Sequence, residues 1–288
     1  MWIFFAFSSA FFAGLVAILA KIGIKNTDSN VATAIRTVVI VLFSWMMVFI
    51  VGSHTKIAEI SAKTLVFLIL SGFATGGSWL FYFRALQIGD VNKVVPVDKS
   101  STILTIILSL IIFREGVSIP KIIAVIAIAI GTYLMIEKKQ TKESGEGGYK
   151  WLVYAILGAV FASLTAILGK IGIQDIDSNL GTAIRTIVVL IMAWLIIIGQ
   201  GKVGQLKHID KKSWIFIILS GFATGLSWLS YYRALQTGPA SVVVPIDKLS
   251  IVLSVAFSYF ILKEKLKKKS FLGLALIVAG TLTLIFFK

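Results

Sequence analysis

An all-α, polytopic membrane protein with ten transmembrane helices in two inverted five-helix repeats is the fold that this sequence predicts. Three observations lead there. The first is composition: 58% of residues are hydrophobic, only 14% are charged, and the mean hydropathy is +0.95, where a soluble domain carries roughly one-quarter charged residues. The second is the recurrence of apolar runs of about 20 residues, the length that crosses a hydrocarbon core of roughly 30 Å. The third is an internal match at one unbroken offset of 149. Trp2, Lys21, Asp28, Arg36, Trp45, Gly72, Arg84, Pro96, Asp98, Glu115 and Gly131 return as Trp151, Lys170, Asp177, Arg185, Trp194, Gly221, Arg233, Pro245, Asp247, Glu264 and Gly280.

The repeats occupy 1–139 and 151–288, joined by a linker at 140–150 that continues the hydrophilic run KKQTKESGEGG. Span 1, at 2–23, opens on Trp2 rather than a basic segment and lacks a small-x-small cleavage site, so it is expected to be retained. Span 2, at 31–52, follows Asp28-Ser29-Asn30, which has N-cap chemistry. Span 3, at 64–88, ends in a charged RALQ segment; span 4, at 94–113, begins at VVPVDKSS; span 5 covers 119–136. The second copy repeats the pattern at 151–172, 180–200, 213–237, 242–262 and 270–287. Five is odd, so the second copy enters from the opposite face and the repeats are inverted about an axis in the membrane plane. The total is even, which puts both termini on one face. The lysines of the second repeat's loops favour termini outside by positive-inside counting.

A net charge of +15 would point to nucleic acid in a soluble protein, but these lysines sit in short loops, where the lipid surface is the natural partner. Nucleic acid is not expected. With no cysteine, and with His54 and His208 isolated in loops, no metal or other cofactor is expected. No Walker-type loop appears, which argues against direct ATP use.

Polar stripes mark the candidate cavity. Ser71, Thr75, Ser78 and Tyr82 share one face of span 3, beside Gly72 and Gly76; Ser220, Thr224, Ser227 and Tyr231 share one face of span 8, beside Gly221 and Gly225. Asp98, Thr102, Thr105 and Ser109 line up on span 4, and Asp247, Ser254 and Ser258 on span 9. The glycine pairs alone read as helix packing. Hydroxyl stripes ending in tyrosine and an ionisable group suit a water-accessible cavity, with Ser78, Trp79, Tyr82, Thr102, Thr105, Ser227, Trp228, Tyr231 and Ser254 as its lining. The tryptophans equally suit an interfacial belt.

A second set is charged: Lys21, Arg36, Arg84, Asp98 and Lys99, with the copies Lys170, Arg185, Arg233, Asp247 and Lys248. Inversion sends one set to each mouth. Ion pairing within a set, Arg84 with Asp98 for instance, is expected to close one mouth while the other is hydrated; the alternative is that the cations snorkel and Asp98 caps its helix. Protons are an open second passenger, although the neighbouring Lys and Arg favour ionised aspartates.

The duplicated RALQ ends and VVPxDKxS starts make the chain resemble the drug/metabolite transporter superfamily, specifically its EamA family. That resemblance implies a ten-helix transporter with a cavity lined by spans 1, 3, 4, 6, 8 and 9, exporting metabolites or amino acids, with cytoplasmic termini, against the lysine count. The function expected is secondary transport of a small polar, amino-acid-like molecule across the cytoplasmic membrane by a monomer using alternating access, not enzymatic turnover. A flippase for a lipid-linked headgroup is the alternative, and a membrane-embedded enzyme the alternative of another class.

Overall fold

The computed structural model describes residues 1–88, 97–98, 100–135, 150–262 and 268–287. Helices and turns, and no strand, occur among the described residues. In chain order the helices are α1 (Trp2–Gly23), α2 (Ser29–Val51), α3 (Ala62–Ile88), α4 (Ser101–Ile112), α5 (Ile119–Met135), α6 (Lys150–Gly172), α7 (Ser178–Gly199), α8 (Lys211–Thr237), α9 (Ala240–Lys248), α10 (Ser250–Leu262) and α11 (Lys268–Phe286). Short 3₁₀ turns, Ser53–Glu59 and Val203–His208, lead into α3 and α8. The linker at 140–149 and Lys99 lie outside the described residues, as do the side chains of Lys21 and Ser254.

Among the described residues seven helices, α1, α2, α3, α6, α7, α8 and α11, are long and apolar enough to cross a membrane, while α4 and α5 are shorter apolar helices. The outer surface agrees. Phe4, Leu42, Ile111, Leu195 and Phe271 stand more than half exposed, a density of exposed apolar side chains that fits lipid rather than water.

The single ninth span expected over 242–262 is instead two helices. The turn tightens there: Leu249 N–H donates to Ile246 O and Val252 N–H to Leu249 O, both at 2.9 Å, so the break falls just past the charged pair Asp247 and Lys248.

Both second helices start as the sequence suggests. The Asp28 carboxylate accepts from the N–H groups of Asn30 (2.9 Å) and Val31 (3.3 Å), and Asp177 does the same for Asn179 (3.0 Å) and Leu180 (3.3 Å). These bonds satisfy donors that a helix start leaves open.

Helices from the two halves interleave: α1 packs along α8, α3 along α6, α2 against α7 and α5 against α11. Shifting by 149 residues turns the first pair into the second and leaves the others unchanged. Lipid gives helices no hydrophobic reason to associate, so close packing carries the association. The glycines show how close it is. A Cβ on Gly72 would stand 2.6 Å from Val188 Cβ, and one on Gly221 2.7 Å from Val39 Cβ, so the glycine pairs of α3 and α8 seat α7 and α2, as the packing reading expects.

Candidate functional site

Arg36 and Arg185 are each the eighth residue of their helix, about 10 Å in from its start. Their terminal nitrogens make matched bonds. Arg36 Nη2 donates to Thr224 Oγ1 at 2.7 Å and Arg185 Nη2 to Thr75 Oγ1 at 2.8 Å, each reaching the third helix of the other half.

Beyond that bond the two differ. Arg185 is 1% exposed. Its Nε donates to Ser71 Oγ at 3.3 Å, and its guanidinium lies over the rings of Tyr232 (4.4 Å) and Trp228 (5.1 Å). Ser71 Oγ in turn donates to Thr165 O at 2.8 Å. Hydroxyls and aromatic faces thus offset part of the several kcal/mol that burying a charge costs. Among the described residues Arg36 has only the Thr224 bond; its Nε is enclosed there without an acceptor, and so is the Oγ of Ser220, the residue that corresponds to Ser71.

Each arginine borders a chamber. One, of about 220 Å³, lies among Thr75, Arg185, Ser227, Trp228, Tyr231, Asp247 and Lys248. The other, of about 250 Å³, lies among Thr33, Arg36, Thr37, Trp79, Thr224 and Trp228. Trp228 is common to both. In the first chamber the Asp247 carboxylate accepts from Ser9 Oγ at 2.6 Å and lies 3.7 Å from Lys248 Nζ. Ser227 is tied to α1 as well, its Oγ donating to Ser9 O at 3.2 Å.

Of the candidate cavity residues, Trp79, Ser227, Trp228 and Tyr231 border these chambers, and of the candidate gating charges so do Arg36, Arg185, Asp247 and Lys248. Ser78, Tyr82, Thr102 and Thr105 border neither. Ser78 is buried along α6, Tyr82 packs near Ala85 and Ala155, and Thr105 Oγ1 donates back to Ser101 O at 2.8 Å. Arg84 is exposed. Arg233 is exposed too and donates to Gln236 Oε1 at 2.8 Å rather than reaching Asp247.

Lys170 also leaves its own set. Its Nζ lies 3.2 Å from Glu115 Oε1 and donates to Gly238 O at 2.6 Å. The Glu115 carboxylate accepts the first two N–H groups of α9, from Ala240 (2.6 Å) and Ser241 (2.8 Å). It thus acts as an N-cap donated from the other half of the chain, and an anion is favoured at that helix end. Lys121, donating to the carbonyls of Glu115 and Gly116 at 2.8 Å each, holds the loop. Burial pushes the Glu115 carboxyl up, but the hydrogen bonds from Ser241 and Ala240 and the Lys170 charge outweigh it, so its pKa lies below the usual glutamate range. Sequence reasoning missed Glu115 as a site residue, although its return as Glu264 was visible.

A second ionic contact stands at the opposite end of α7, which is about 33 Å long at 22 residues. Lys202 Nζ donates to Asp28 Oδ2 at 2.7 Å, and Asn30 Nδ2 to Gln200 Oε1 at 2.9 Å. Burial raises the Asp28 carboxyl, and the bonds from Lys202, Asn30 and Val31 lower it further than that, for a net fall.

Comparison with known proteins gives this arrangement a relative set. The EamA-like transporter family matches residues 1–137 and 149–286. An uncharacterized transporter in the cobO 3′ region of a Sinorhizobium species is 44% identical over 137 residues, which is 48% of this chain and 97% of that protein. The uncharacterized transporter YxxF of Bacillus subtilis is 25% identical over 253 residues, 84% of this chain and 76% of its own length. A solved crystal structure superposes with a TM-score of 0.78 over 99% of this chain and 96% of the other, at 14% identity, a likeness of fold alone.

Proposed function

The chain belongs to the EamA-like transporter family, and from that premise we propose that it is a secondary transporter which moves a small polar, amino-acid-like metabolite across the cytoplasmic membrane by alternating access. Family membership and the transporter-named relatives support a membrane transporter. The observation that carries the finer reading is the pair of chambers meeting at Trp228 between helices of both halves, each bordered by an arginine. Their volumes, about 220 and 250 Å³, fall below the 300–1,000 Å³ of drug-sized sites. A small metabolite fits that scale.

Two observations support ten spans in two inverted repeats, with the units at 1–139 and 151–288. Helix α1 finishes a few residues before Asp28, at the Lys202 end, whereas its copy α6 finishes at the Glu115 end. Corresponding helices thus run in opposite directions. The Sinorhizobium relative, matched over 97% of its length by 48% of this chain, is the size of one repeat.

In this mechanism the Glu115–Lys170 contact holds one mouth shut by joining the α4–α5 loop, α6 and the start of α9. When the repeats rock, it opens and the first repeat's charges, Lys21, Arg84, Asp98 and Lys99, close the other mouth around the same site. The protein acts as a monomer with both termini on one face. Flux in proteoliposomes, measured against a panel of amino acids and small organic acids, tests the reading. Saturable counterflow of one panel member is expected; folded protein that moves none of them would refute it.

A further inference from the structure

The two arginines are equivalent by sequence and unequal by environment. Arg185 has an acceptor for Nε, an acceptor for Nη2, and aromatic rings over its guanidinium. Among the described residues Arg36 has one hydrogen bond, and both members of the bond that would complete it, its own Nε and Ser220 Oγ, stand buried without a partner. Among the described residues no carboxylate borders its chamber; the polar lining there is Thr33, Thr37 and Thr224, and the broad faces are Trp79 and Trp228. By contrast, Asp247 lies in the chamber of Arg185.

A guanidinium presents five donors in a planar fork and gains most from a planar anion such as a carboxylate. Even at an effective dielectric of about 20, two opposite unit charges about 4 Å apart attract strongly. A cation brought to the same place is repelled by a similar amount.

We infer that the chamber around Arg36 is the station for the substrate's anionic group: a carboxylate taken by the Arg36 fork with help from the threonine hydroxyls, its carbon body lying between Trp79 and Trp228. Arg185, already supplied with partners, braces α7 against α3 and α8. The inference rests on the transporter reading for the ligand's role, but binding is measured without flux, so either can fail alone. A lipid phosphate offers related chemistry, and the test separates the two.

The full chain in phosphatidylcholine nanodiscs is titrated with benzoate, benzylamine or benzyl alcohol, following thermal stabilisation and tryptophan emission. Benzoate alone is expected to stabilise it saturably. Arg36→Gln should weaken benzoate about tenfold to a hundredfold, Arg36→Lys by less, and Trp79→Phe should remove most of the emission change. Because Arg36→Gln could disturb folding, Arg36→Lys and Trp79→Phe are scored on their own, and native melting of each variant is checked first. Benzoate binding unchanged in Arg36→Gln, benzylamine binding equally well, or dependence on Arg185 instead would overturn the inference. So would Arg36-dependent stabilisation by phosphatidylglycerol with none by benzoate.

Discussion

Among the described residues Arg185 has partners on two neighbouring helices, and Arg36 has one hydrogen bond. Arg185 docks on Ser71, Thr75, Trp228 and Tyr232, and beyond it toward the helix end Lys170 and Glu115 seal α6 to α9. Arg36 keeps the threonine bond alone, and the serine bond that its twin makes is open. Matching residues in matching helices thus carry different work. A duplicated sequence held in one conformation does not give both copies the same partners, and under the proposed alternating access the better-partnered copy marks the end expected to be shut.

The largest test of this contrast is Glu115→Ala. It leaves Lys170, only 9% exposed, without its counter-ion and uncaps α9. Losing one partner of a buried pair costs about 3–5 kcal/mol, so the closed form should lose a hundredfold or more in population, roughly. The native chain has no cysteine, so a single Ala166→Cys in the Arg185 chamber reports the change by its labelling rate. Equal rates with and without Glu115 would break the contrast. Acid should act in the same direction: the depressed Glu115 pKa means that its contribution is present at neutral pH and lost as the pH falls below the ordinary glutamate range.

Next in size is the pair Ser71→Ala and Ser220→Ala. Ser71 accepts from Arg185 and donates to Thr165, so its removal should cost about 1–3 kcal/mol, whereas Ser220 Oγ has no partner among the described residues and its removal should be near neutral. Thermal melting in nanodiscs measures both, and equal costs would erase the asymmetry. Smaller still is Asp28→Asn at the other end. Asparagine also caps helices, so the loss is mainly the partly exposed Lys202 pair, about 0–1 kcal/mol and smaller in high salt. The Asp28 pKa is lowered, so its share too is present at neutral pH and lost on acidification through the aspartate range. A salt-independent loss of several kcal/mol would show that this end is as tightly sealed as the other.

Much of this was legible in the chain. Gly72 with Gly76 and Gly221 with Gly225 were read as packing positions, and each pair seats a neighbouring helix. Asp28 was read as a cap and is one. Trp79, Trp228 and Tyr231, read as candidate cavity residues with an interfacial belt as the alternative, lie beside the chambers. The stripe of α3 suited either a cavity or helix packing; in the structure Thr75 borders a chamber, while the backbone of Ser78 and Tyr82 runs beside Gly158 of α6 and Tyr82 packs on Ala85 and Ala155. One face of a helix can meet either a neighbour or a cavity, and periodicity does not distinguish them.

By itself, then, the sequence determined a polytopic helical membrane protein, its self-match at an offset of 149, the helix starts and the glycine seats. Those are properties of residues close together along the chain or repeated within it. Tertiary structure alone decided that Lys170 meets Glu115 rather than Asp247, that Ser9 reaches Asp247, and that Arg185 is satisfied while Arg36 is not. Such pairings form between helices distant in sequence, and in a low-dielectric interior a charge goes to whichever partner the packing of those helices brings within about 4 Å.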